Sequence, residues 1–226
     1  MSGLNFDSSF DDEWDGDEPN DLGWDEADWY KYLQRQDQEI TRFLAIYDQI
    51  DPKMDRIDEA ARLMGWEPSS QEFPTSSIDL DRQDDEDRLP PYTLHQHPVF
   101  IITRAFHSYL TQSWDYIRTT YPENKMLNVF SWYYAQSLNL WERNILLALQ
   151  ALDIGDFALS ICHIKYALNA FNQTMHLLGK LPETPNPEYL NRIHECRTRL
   201  FDLREICLRI INDCREEIRH QKDERD

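Results

Sequence analysis

Lys125 to Asp153 reads KMLNVFSWYYAQSLNLWERNILLALQALD, and the next three residues are Ile154-Gly155-Asp156. No Gly or Pro interrupts the stretch. Phe130, Trp132, Tyr133, Tyr134, Leu138, Trp141, Ile145, Leu146, Leu147, Leu149 and Leu152 load it with apolar surface, against a polar stripe of only Gln136, Asn139, Arg143 and Gln150. A helix with so little polar surface is expected to touch several neighbours and to be the central one. The tight connection after it turns the chain back on itself, into an antiparallel helix capped by Asp156 and running to Gly179. That partner is apolar on two sides, with Lys165, Asn169, Asn172 and His176 forming one polar line at spacings of four, three and four.

Working outward, Phe100, Phe106, Tyr109, Leu110, Trp114 and Ile117 give a helix from Pro98 to about Thr120, broken by Tyr121-Pro122. Downstream, Asn186-Pro187 opens a last helix to about His220, on the order of 50 Å long, whose final charged turns are expected to project or fray. The fold class that follows is all-α: an antiparallel four-helix bundle over residues 98–221, with a charged tail at 222–226. Residues 29–65 read as an N-terminal helical hairpin. Its first helix carries Trp29, Leu33, Ile40, Phe43, Leu44, Tyr47 and Ile50. Its second is expected to start with Asp51 as cap and Pro52 in the first turn, to carry Met54, Ile57, Ala60, Ala61 and Met64, and to stop at a left-handed Gly65. Residues 66–97, rich in Pro, Ser, Asp and Glu, read as an acidic linker, and residues 1–28 as an acidic, aromatic-bearing, disordered arm.

The charge is local. The net charge is −19, of which Met1 to Tyr30 supplies −11 and Glu67 to Arg88 supplies −6, leaving about −2 for the rest. Such a chain is ill suited to binding nucleic-acid backbones or anionic membranes directly, where Lys and Arg must replace counterions. It suits a basic protein. No run approaches a membrane span, and the N-terminus lacks the basic and apolar regions of a signal peptide, so a cytoplasmic location is expected.

Segments too acidic to fold normally lack large apolar side chains. The first thirty residues keep Phe6, Phe10, Trp14, Trp24 and Trp29. Phe6, Phe10 and Trp14 recur every four residues, which places them on one face of a transient helix, with Trp24 and Trp29 as a second pair. Acid-flanked aromatics of this kind fit a hydrophobic groove rimmed by Lys and Arg, on a basic partner or on the chain's own bundle. These five residues are the candidate binding residues.

Catalytic signatures are thin. There is no Glu-x-x-His pair for a carboxylate-bridged metal site, no Gly-rich phosphate loop and no Gly-x-Ser-x-Gly. Cys196, Cys207 and Cys214 follow the heptad register of the last helix with Ile193, Leu200, Leu203 and Ile210, as buried reduced thiols would, and Cys162 stands apart. Glu142 falls on the flank of its helix, where a rim salt bridge is expected. No catalytic residue, cofactor or metal is assigned. The expected function is a non-catalytic helical interaction or adaptor protein that presents its acidic arm to a basic partner, with a homodimer compatible. Two alternatives are a helical-bundle enzyme or metal-binding protein using His107, Glu142, His163 or His176, and an acidic mimic of nucleic acid.

Overall fold

The computed structural model describes residues 24–66, 93–120, 125–181 and 186–223, and among these it holds six α-helices, a single 3-10 turn and no strand. The first helix, α1 (Glu26–Gln49), is opened by a reciprocal cap: the Asp25 carboxylate accepts the Asp28 N–H at 2.8 Å while Asp28 accepts the Asp25 N–H. That box satisfies two donors a helix start leaves free, and so α1 begins ahead of its apolar pattern. Asp51-Pro52 opens no helix. Asp51 instead closes a turn, accepting Lys53 N–H on its side chain and Met54 N–H on its carbonyl, each at 2.9 Å. The second helix, α2 (Arg56–Met64), starts one cap later, at Asp55, whose carboxylate accepts Asp58 N–H. Met54 is therefore outside it and exposed, and Gly65 ends it at φ 78°.

After the 3-10 turn Leu94–Gln96 come α3 (Pro98–Thr120), α4 (Lys125–Asp153), α5 (Phe157–Gly179) and α6 (Pro187–Asp223). The last helix continues through the charged turns expected to fray. α3 packs against α1, α4, α6 and the 3-10 turn; α4 packs principally against α3 and α5, and α5 against α6. The central helix is thus α3, with Phe100, Phe106, Leu110, Trp114 and Ile117 among its buried side chains. This corrects the expectation for α4, whose Val129, Trp132, Tyr133 and Leu147 are exposed. Composition measures how much apolar surface a helix has. It does not say that the same chain covers it.

α4 and α5 approach closely because small residues line their seam: Ser137, Ala148 and Ala151 on one, Ser160, Ala167, Ala170 and Thr174 on the other, all buried. Thr174 donates to Ser137 Oγ at 2.8 Å, and His163 Nδ1 lies 3.1 Å from Asn144 Oδ1. Gly155 takes φ 75° in the turn between them. In α6, Cys196, Cys207 and Cys214 are buried as their register implies. Burial pushes the Cys196 thiol up to about 11 and that of Cys207 to about 12, so both stay protonated at neutral pH.

Candidate functional site

Of the five candidate binding residues, Phe6, Phe10 and Trp14 lie outside the described residues. Trp24 and Trp29 are placed, and they meet: their rings stand edge to face at 5.2 Å, and both lean on Tyr32, at 5.3 and 5.8 Å. Tyr32 is the floor of this cluster. It is 3% exposed, whereas Trp29, at 37%, is a surface residue. Its hydroxyl bonds Thr93, just before the 3-10 turn, and its ring stands 6.1 Å from His95, which in turn stands against Phe100 at the start of α3. The aromatic pair is thereby anchored to the head of the central helix, beside the carboxylates Asp25, Glu26 and Asp28.

The four residues of the enzyme alternative do not converge as a set. His107 and Glu142 meet across the α3–α4 seam, with Nε2 and Oε2 3.5 Å apart. The other Glu142 oxygen accepts the Arg104 guanidinium at 2.7 Å, so the carboxylate is chiefly the counter-ion of an arginine. His163 is on the α4–α5 seam with Asn144, and His176 is exposed. Beside His107 lies a pocket of about 260 Å³ floored by Trp114, Tyr134 and Leu138. Trp114 stacks on Tyr134 at 4.1 Å and donates its Nε1–H to Ser131 Oγ at 3.0 Å. Among the described residues no three potential metal ligands gather.

The densest polar network joins α1, α2 and α6. Arg199, 1% exposed, bonds Asp48 and Glu195 and lies 3.6 Å from the centre of the Tyr109 ring and 4.9 Å from that of Tyr47. Arg56 reaches the same Glu195 at 2.9 Å, and Tyr47 donates to Asp202. Burial disfavours the charged form of Glu195, but its bonds to Arg56 and Arg199 outweigh that and hold the carboxyl below its usual value. Burial raises Asp202, the acceptor of the Tyr47 hydroxyl. Every cation here has a carboxylate, and these pairs clasp the N-terminal helices to α6.

No family model, curated protein or solved structure matches the chain.

Sequence reasoning missed three groups. Tyr32 follows Trp29 at helical spacing and was open to view, but its partners Thr93 and His95 are sixty residues away along the chain. Arg104 stands opposite Glu142 only once α3 and α4 pair. Arg199 has Glu195 one turn before it on α6, which reads as an ordinary surface pair, and nothing local shows its burial or its second carboxylate, Asp48 of α1.

Proposed function

We propose that the chain is a helical interaction protein. In this reading α3 to α6 form a four-helix bundle with α1 and α2 against it, and the acidic segment offers Phe6, Phe10, Trp14, Trp24 and Trp29 to a basic protein partner. The observation that carries it is the Trp24–Trp29 pair: an exposed Trp29 against a half-buried Trp24, both braced on a buried Tyr32 and set among carboxylates. Aromatic anchors held in place before binding lose little entropy when a partner arrives, and the adjacent charge steers a partner of opposite sign.

The test is affinity capture with the full chain, a chain starting at Ala27 and a Trp24→Ala/Trp29→Ala variant. Basic proteins are expected to be retained by the full chain at low salt, released as salt rises, and lost from both altered forms. Equal recovery from all three would sink the reading.

A further inference from the structure

α4 is more apolar than its contacts within the chain require, and the excess has a direction. Tyr133, Leu140 and Leu147 recur every seven residues, nearly two full turns, and so lie along one line of the helix. On α5, Leu159, Cys162 and Tyr166 are spaced by three and four and share a face. The bonds Thr174–Ser137 and His163–Asn144 set the antiparallel register, which makes these two lines the edges of one outward groove. Tyr133, Leu147, Leu159 and Tyr166 are all exposed, as is Ile154 in the turn at its end.

The groove also has an unusual charge for this molecule. α5 contains no Asp or Glu, and Glu142, the one carboxylate of α4 before Asp153, faces α3 and pairs with Arg104. Arg143, Lys165 and Lys180 are exposed on the hairpin. A chain of net charge −19 thus holds an apolar, aromatic surface with cations along its helices, its own carboxylates Asp153 and Asp156 being confined to the turn at one end.

We propose that this groove seats the chain's own Phe6–Trp14 segment, with Phe6, Phe10 and Trp14 laid into it as one face of a helix. Residues 1–23 carry eight carboxylates and neither Lys nor Arg, the complement of those cations. The reach is sufficient. Trp24 stands, through Tyr32 and His95, at the head of α3, and α3 and α4 run antiparallel, Arg104 meeting Glu142 and Trp114 meeting Ser131, so that head lies beside the end of α4. Trp24 and the α4–α5 turn are therefore at the same end of the molecule. The nine residues between Trp14 and Trp24 extend to roughly 30 Å, and crossing two helices needs about 20 Å. Trp14 then enters beside Ile154 and Leu159. Phe10 and Phe6 follow at steps of about 6 Å, carrying the segment over Cys162 towards Tyr166. This inference rests on the reading of the acidic segment as an interaction element and adds its regulation: a basic partner must lift the segment off the groove.

Cys162 is a built-in probe, because it is exposed while the other three cysteines are buried. The experiment measures the rate of N-ethylmaleimide addition at Cys162 by peptide mass spectrometry, in the native chain and in a Phe6→Ser/Phe10→Ser/Trp14→Ser variant. Circular dichroism checks that both are equally helical. The proposal expects several-fold faster modification in the variant, and acceleration of the native chain by added salt. Equal rates in the two proteins overturn it. So does a native rate that rises on dilution while the variant behaves identically, since that assigns the groove to a second copy. No partner is present in this assay, so its failure is distinguishable from a failure of the capture experiment.

Discussion

Arg199 shows how much one residue of α6 holds. Its guanidinium is buried between the Tyr47 and Tyr109 rings and bonds carboxylates from α1 and α6, so the pair spans elements distant in sequence. Asp48 is half exposed and Glu195 keeps Arg56 as a partner, so loss of the guanidinium leaves no carboxylate both buried and unpaired, and the packing of this buried side chain carries the larger share, about 2–5 kcal/mol for a large side chain cut back to Ala. Arg199→Ala is expected to lose stability in that range in urea titration, and Arg199→Met, which keeps most of the volume, distinctly less; equal losses would show that the charge pairing, absent from both variants, is what matters there. His97 sets a different balance. Its Nδ1 accepts the Val99 N–H at 3.2 Å, at the first turn of α3, so the ring is bound as the neutral form with its proton on Nε2. Burial depresses its pKa, against a smaller opposing pull from Asp153. A base depressed in the fold contributes stability above its unfolded value, 6.5, and that contribution is lost as pH falls through the lower folded value. His97→Asn keeps an acceptor at the cap but does not titrate. The variant's stability, relative to the native chain, is expected to rise as pH drops below 6.5; parallel curves from pH 7 to 5 would refute the assignment.

Helix ends were the most legible feature of the elements, because they are written in local chemistry. Asp156 caps α5 and accepts the Leu159 N–H at 2.9 Å, Gly65 and Gly155 take positive φ, and Pro98 and Pro187 stand at helix starts. Gly155 meets nothing within 4 Å of where a Cβ would stand, so only backbone conformation is at issue. Gly155→Ala is expected to cost about 1–2 kcal/mol and Gly155→Asn less, measured by thermal unfolding; an indifferent Ala variant would mean the turn can relax to negative φ. Where two signals competed, local chemistry was ambiguous. Asp51-Pro52 and Asp55 both offer a start for α2, and only packing, with Ile57, Ala60 and Met64 buried, selects the second. Neighbours were less legible still. Trp24 and Trp29 stood out as anchors in an acidic run, but the Tyr32 floor beneath them depends on a turn brought from sixty residues away. The pairing of Arg104 with Glu142 likewise exists only once two helices have chosen their register.

At the scale of the whole molecule the decisive fact is which helix the others surround. An apolar count favours α4, yet α3 touches α1, α4, α6 and the 3-10 turn, and its buried side chains run from Phe100 to Ile117. α4 is backed by α3 and α5 and leaves Val129, Trp132, Tyr133 and Leu147 in solvent. These arrangements differ in how the protein opens. An amide on a helix covered on three sides exchanges only when several elements separate together, whereas one on a helix with an open face can exchange by local fluctuation. With the groove emptied, as in the Phe6→Ser/Phe10→Ser/Trp14→Ser variant, amides from Phe100 to Ile117 are therefore expected to be the slowest to exchange in native-state hydrogen exchange, with α4 intermediate. The end of α6 beyond Arg215, whose side chains are mostly exposed, should be among the fastest. Slower exchange in α4 than in α3 in the native chain would reverse the order and mean that α4's outer face is covered in solution. Comparing the native chain with that variant then identifies the cover: protection of α4 that vanishes with the aromatics belongs to the chain's own acidic segment, and protection that persists belongs to something else.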